Sequence, residues 1–336
     1  MGRASRSVTI YDVAKAAGVA PSTVSRTFSR PGRVNVETGD RIRAVAEELG
    51  YRTNPQARAL STTRTWMLAV VLADLTNPGF FDLVRGAEAA AAAADYTLML
   101  AETQESAERE QEVLHRASAG VDGIVLTGSR MTSGAIRQVA KVCPVVVVNR
   151  DVPGVPSVIT DIAHGTRAAA EHLRSGGHRE VTYLAGPEAS WPDGMRWRCL
   201  RAAGADLRMR IRRLGPFPPT VNGGVQAAAA WIDQKELRGT AVVAYNDLQA
   251  IGFIRAVLRA GGQVPGDVSV IGYDNTTAAE LITPELTTVA APMHSIGATA
   301  ARHVLSVLSG SRNAPPGPMV LPTRLVVRGS TGPRNK

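Results

Sequence analysis

Several features that mark common protein classes are scarce or missing here. Only two of the 336 residues are cysteine, Cys143 and Cys199. That excludes a disulfide framework and leaves too few thiols for a structural zinc site without histidine help, so both read as core thiols. No apolar run reaches the length of about 18 residues that a membrane helix needs, and the start, MGRASRSVTIYDVAKAAG, lacks the apolar stretch of a signal peptide. A cytoplasmic protein with no membrane contact is expected. Catalytic signatures are also missing: there is no GxxxxGK[ST] phosphate loop, no GxGxxG, no GxSxG elbow and no HExxH. His164, His172 and His178 form no i,i+4 pair, so no metal, cofactor or catalytic residue is expected.

What is present describes a folded chain of about two domains, 44% hydrophobic and 20% charged. Its net charge of +9 is unevenly spread. Residues 1–64 carry 11 Lys/Arg against 5 Asp/Glu, a surplus of 6, and the remaining 272 residues carry 27 against 24, a surplus of 3. A small basic segment ahead of a nearly neutral body suggests a nucleic-acid module joined to a domain with another task.

The basic segment has a helical pattern. Thr9 and Asp12 form a capping-box arrangement, and Ile10, Val13, Ala14 and Ala17 make one apolar face that Gly18 ends. Pro21 suits the first turn of a second helix, with Val24 and Phe28 facing inward and Pro31-Gly32 stopping it. Asn35 is placed to cap a third, where Ile42, Val45, Ala46 and Leu49 repeat the spacing. Three short helices with a tight Gly18-Val19-Ala20 corner make a helix-turn-helix, whose second helix enters the major groove. Pro21, Ser22 and Thr23 then point toward the bases, and Arg26, one turn on, can bond guanine bidentately.

VTIYDVAKAAGVAPSTVSR followed by GYRTNPQARAL resembles the LacI family of bacterial transcription regulators, and the later segments extend the likeness over essentially the whole chain. The resemblance implies that Thr9, Tyr11, Ser25, Arg33, Asn35 and Thr38 lie near phosphates while Ser22 and Arg26 face base edges. Ala20 departs from the serine that often caps the family's recognition helix. Asn54-Pro55-Gln56-Ala57-Arg58-Ala59-Leu60 resembles the family's hinge helix, too short to be stable alone, with Asn54 as its cap. In the family's mode two Leu60 side chains wedge into the minor groove and bend the DNA, with Ala57 and Arg58 nearby.

From residue 66 onward, MLAVVLA, DGIVLT, CPVVVVN, VTYLAG, TAVVAYN and DVSVIGY read as strands covered on both faces, alternating with helical patterns. The expected fold is thus an all-α headpiece followed by an α/β domain with parallel sheets. The resemblance makes that domain two-lobed, as in periplasmic sugar-binding proteins. We assign 8–53 to the headpiece, 54–65 to the hinge helix and linker, 66–330 to effector binding and dimerisation, and 331–336 to a tail. Lobe one takes about 66–160 and 292–320, lobe two about 161–291 and 321–330.

Ligands of such folds bind beyond the carboxyl ends of strands. Asp74, Asn77, Thr127, Asn149, Arg150, Asn246 and Asp274 follow successive runs, and Phe80, Trp191 and Phe217 could serve as apolar platforms for a small polyhydroxylated ligand. Each Asp or Asn taken singly is as good a helix cap. The resemblance carries effector contact onto Asn246 and Asp274, and onto Arg196 unless Arg198 occupies that register. Gly79, where the family commonly has Phe in Asn-Pro-Phe-Phe, removes a ring from the cleft wall. The expected protein is a homodimeric repressor of double-stranded operator DNA under a small-molecule effector such as a sugar, with no coiled-coil heptads after LPTRLVVRG to build a tetramer. The alternatives are an α/β solute-binding or catalytic protein with an incidental basic head, and a regulator answering to a nucleobase.

Overall fold

Two units divide the chain, Met1–Trp66 and Met67–Lys336. The computed structural model describes residues 8–29, 31–51, 64–234, 239–310 and 317–334. The expected hinge helix, with Asn54, Ala57, Arg58 and Leu60, lies outside the described residues.

The first unit holds three helices: α1 (Ile10–Ala17), α2 (Pro21–Ser29) and α3 (Val36–Glu48). At the start of α1 the Asp12 carboxylate accepts from the backbone N–H of Thr9 at 2.8 Å and from its hydroxyl at 2.7 Å. Gly18 turns the chain at φ +66, a left-handed geometry that costs glycine little. Asn35 caps α3 by accepting from Glu37 N at 3.0 Å. The core is small: Val13, Ala14, Ala17, Val24, Ile42 and Ala46 are buried, with Phe28 and Tyr51 rings packed 5.9 Å apart at its edge.

The second unit is built on two six-stranded sheets. In chain order its strands are β1 (Met67–Leu72), β2 (Thr97–Glu102), β3 (Gly123–Thr127), β4 (Val145–Val148), β5 (Ser157–Thr160), β6 (Glu180–Leu184), β7 (Arg210–Leu214), β8 (Ala241–Ala244), β9 (Ser269–Tyr273), β10 (Thr287–Ala290), β11 (Met319–Leu321) and β12 (Arg324–Val326). One sheet has the order β11-β5-β4-β3-β1-β2 and is parallel throughout. The other has the order β12-β10-β9-β8-β6-β7, with only β12 antiparallel. The chain therefore passes between the lobes three times, after β5, after β10 and between β11 and β12. Two of these crossings are stitched together where Asp161 N donates to Leu321 O and Thr323 Oγ1 donates to Asp161 O, each at 2.8 Å.

The helices between strands are α4 (Phe81–Ala92), α5 (Ala107–Ser118), α6 (Ser133–Val142), α7 (Ile162–Ser175), α8 (Trp191–Asp206), α9 (Val221–Asp233), α10 (Asp247–Arg259), α11 (Ala278–Leu281) and α12 (Met293–Leu308). Each lobe contains one helix pair in unusually close contact. A Cβ on Gly86 of α4 would lie 1.9 Å from His294 O, and one on Gly297 of α12 would lie 1.9 Å from Leu83 O. Lobe two repeats the device, since Gly224 of α9 and Gly252 of α10 face Gln249 O and Val221 O at 2.1 and 1.9 Å.

The six strands legible as apolar runs are β1, β3, β4, β6, β8 and β9, each almost wholly buried in the middle of a sheet. The sequence reading missed the rest. The edge strands β2 (TLMLAE) and β7 (RIRRL) are half exposed; β2 holds only the short apolar run Leu98–Ala101 and ends on a charge, and β7 carries three arginines. β10 (TTVA) is buried, but two of its four residues are threonines whose hydroxyls are hydrogen-bonded.

Candidate functional site

The carboxyl ends of the strands of both sheets converge on one cleft between the lobes. Its floor is a cavity of about 50 Å³ whose wall includes Asn77, Phe80, Thr127, Asn149, Arg196, Asn246 and Asp274. The backbone there is unusual. Glu105, Asn149 and Asp274 all take positive φ, at +60, +56 and +108, and Gln104 and Asn275 beside them do the same. Such non-glycine geometry persists where surrounding structure holds it, typically at functional sites.

Arg196 is the centre of lobe two's contribution. Its guanidinium sits 4.0 Å from the Tyr273 ring centre and 5.0 Å from that of Tyr245, donates to the Tyr245 carbonyl, and pairs with Asp274 at 3.6 Å. Burial works against its charge, and Asp274 with the neighbouring tyrosines more than restores it. Asp274 is pushed up to about 6 by burial, against the pull of Arg196. Behind it Asp247, fully buried, is pushed up to about 7 by burial and by the charge of Asp274. It accepts from Thr276 N at 2.7 Å, Thr276 Oγ1 at 3.1 Å and Thr288 Oγ1 at 2.6 Å. Near neutral pH the pair therefore carries less than two full negative charges.

Two of the strand-end asparagines double as caps. Asn246 Oδ1 accepts from Gln249 N at 2.9 Å while its Nδ2 donates to Pro219 O at 3.0 Å, and Asn77 Oδ1 accepts from Gly79 N at 2.9 Å. Three of the expected contacts are placed away from the cavity. Asp74 accepts from Thr76 N and Oγ1 at 2.7 and 2.6 Å, closing a local turn. Arg150 turns back into lobe one, donating to Met131 O at 2.6 Å and Ser133 Oγ at 3.2 Å. Phe217 packs against the core of lobe two. Arg196 rather than Arg198 faces the cavity; Arg198 is exposed and rests its guanidinium on Met195 Sδ at 2.6 Å. Trp191 does not line the cavity, and His164 is exposed at the surface.

The sequence reading missed Glu105, Arg130, Tyr245 and Met293 in the cavity wall. Tyr245 directly precedes Asn246, and Arg130 stands three residues after Thr127, so both were within reach of a strand-end argument. Glu105 follows β2, whose short Leu98–Ala101 run was not read as a strand. Gly79 meets the opposite lobe closely: a Cβ there would lie 3.1 Å from an Asp274 carboxylate oxygen.

In the headpiece, Ser22 and Arg26 are exposed on α2, with Pro21, Thr23 and Ser25 half-buried beside them. Tyr11, Arg33 and Asn35 are exposed, and Thr9 and Thr38 partly so. Among the described residues no helix is long and apolar enough to cross a membrane, and no group of three or more His, Cys, Asp or Glu is placed to hold a metal ion.

The headpiece, residues 9–54, matches the profile of bacterial regulatory proteins of the lacI family, and residues 170–331 match a periplasmic binding protein-like domain. The chain is 34% identical to the HTH-type transcriptional regulator DegA of Bacillus subtilis over 97% of its own length and 99% of that protein. The chain belongs to the LacI family. Its fold superposes on a lac repressor dimer bound to operator and the anti-inducer ONPF, with a TM-score of 0.85 and 26% identity, covering 97% of this chain and 100% of that one. A LacI family regulator from Enterococcus faecium with bound ribose matches at a TM-score of 0.71 and 30% identity, over 80% of this chain and all of that one. This LacI-family chain is accordingly a DNA-binding transcriptional regulator, and its relatives are regulators rather than enzymes.

Proposed function

We propose that the protein is a homodimeric, cytoplasmic repressor that binds a near-palindromic operator and is released from it, or held on it, by a small polyhydroxylated effector such as a sugar. The observation that carries the effector half is a cleft with polar atoms left over. Thr127 Oγ1, Arg130 Nη1 and Arg196 Nε are buried without hydrogen-bond partners, all on residues of one cavity wall. Buried donors and acceptors are seldom left unmade, so this group fits a ligand rich in hydroxyls. The Enterococcus faecium relative with bound ribose supports the same class.

The DNA half rests on the headpiece. Ser22 and Arg26 are read as base-facing, with Pro21 and Thr23 beside them. Thr9, Tyr11, Ser25, Arg33, Asn35 and Thr38 are read as phosphate contacts, and Asn54, Ala57, Arg58 and Leu60 as the minor-groove hinge. Dimerisation is supported by apolar surface on lobe two, where Leu281 is 79% exposed and Leu258, 40% exposed, lines a groove with Ile251 and Ile282.

The test is operator selection from random DNA with the full-length protein, followed by anisotropy titrations with and without sugars and nucleosides found by thermal shift. Six to ten phosphate contacts per dimer predict a loss of about 10³ to 10⁵ in affinity between 50 and 200 mM salt. Salt-insensitive binding, or binding that no small molecule changes, would overturn the corresponding half of the reading.

A further inference from the structure

Outside the carboxylates and Arg196, the cavity holds a second guanidinium that the fold has immobilised. Arg130 lies in the turn after β3, and its side chain is only 3% exposed. Two layers fix it. Its backbone N–H donates to Glu110 Oε2 at 2.7 Å, and Glu110 is itself fully buried and also bonded by Ser129. Its Nε and Nη2 both reach Glu105 Oε2, at 2.6 and 2.5 Å. Glu105 is held for this at φ +60, directly after Gln104 at φ +52. The guanidinium also comes within side-chain hydrogen-bonding reach of Tyr245 of lobe two, but Nη1 is buried with no partner in good hydrogen-bond geometry.

We propose that Arg130 is the effector-contacting donor of lobe one, and that Glu105 restricts it to uncharged oxygen acceptors. The proposal rests on the effector reading above and narrows it to neutral ligands. The charge balance of the wall supports the restriction: Arg130 and Arg196 face Glu105 and Asp274, two cations against two carboxylates. A phosphate or carboxylate entering that balanced site would have to expel a built-in carboxylate or share a cation with it, losing hydration without a free countercharge. A hydroxyl or ring oxygen needs only the N–H that Nη1 has left over, with the Thr127 hydroxyl beside it on the same wall.

Thermal unfolding of the full-length protein with inorganic phosphate, against sodium chloride of matched ionic strength, tests this without knowing the effector. Glu105→Gln should bind phosphate about tenfold or more tightly than the wild type, because it leaves an uncompensated cation in a poorly solvated site, where its attraction for an anion is weakly screened. Glu105→Gln combined with Arg130→Met should lose that gain, which separates it from phosphate bound at the headpiece. Equal phosphate response in wild type and Glu105→Gln, or a gain that survives Arg130→Met, overturns the proposal. Ribose with ribose 5-phosphate, and glucose with glucose 6-phosphate, form the second arm. Stabilisation of the wild type by a phosphorylated member above its parent overturns the restriction to neutral ligands and leaves the effector reading standing. Stabilisation by a neutral member that Arg130→Met abolishes supports the proposal. No response to any sugar refutes the sugar reading, and the phosphate arm then decides Arg130 alone.

Discussion

Arg26 and Arg33 are both exposed arginines of the headpiece, yet different losses are expected from them. Arg26 lies on the exposed side of α2 next to Ser22, so Arg26→Ala should cost about 1 to 3 kcal/mol on selected operator DNA and relax preference at one base pair per half-site. Arg33→Ala should weaken selected and random DNA alike. Anisotropy titrations on both DNAs make the comparison, and parallel losses for Arg26→Ala would place it on the backbone instead. Behind the cleft wall, Asp247 supplies a prediction about pH. An acid with a folded value of about 7 keeps its proton over an interval, from about 4 upward, in which the unfolded chain has released it. Its contribution to stability is therefore full at low pH and is lost as pH rises through about 7. Asp247→Asn should remove that decline, so its melting temperature relative to the wild type should rise between pH 5 and 8. A pH-independent difference would mean that Asp247 is ionised throughout, held by its three donors.

Among the elements, the glycine crossings of α4 with α12 and of α9 with α10 set how closely helices cover each sheet. Backbone carbonyls occupy the space a Cβ would need, and carbonyls move only with their helices. Gly252→Ala and Gly297→Ala should each destabilise by about 1 to 3 kcal/mol or more through overpacking. Denaturant melts monitored by circular dichroism would show it as a lower midpoint for the second unit. Gly261→Ala is a useful contrast, since its Cβ would meet nothing within 4 Å and its cost comes only from φ +81. Equal effects at all three would show that backbone conformation, rather than the crossing, is responsible.

At the scale of the whole molecule, the proposed homodimer would couple the headpieces to the effector domains. Two-fold symmetry would give two headpieces for two half-sites and one cleft per subunit. Leu281 stands 79% exposed at the end of α11, followed by Ile282, which lines a surface groove with the exposed Leu258 of α10. Leu281→Asp should convert the dimer to monomer at micromolar concentration, read by light scattering, and should weaken operator binding much more than half-site binding. A variant that stayed dimeric would move the interface elsewhere on the second unit.

The sequence by itself determined the three helices of the headpiece. Their caps and apolar spacing are local properties, and the observed α1 to α3 follow Thr9, Gly18, Pro21 and Asn35 closely. It also determined the central strands, because a strand covered on both faces must be apolar along its whole length. The polar residues at strand ends were legible as a group, and seven of the ten expected contacts line one cavity. Only the tertiary structure decided which of them turn inward. Asp74, Arg150 and Phe217 satisfy their bonds or bury their rings within their own lobe, and Arg196 rather than Arg198 reaches the cavity because α8 presents one of them to Tyr273 and the other to solvent. Arg130 and Glu105 lie 25 residues apart on the ends of different strands. No local pattern signals a pair whose meeting depends on how the sheet orders its strands, and that order is fixed by the packing of the whole lobe.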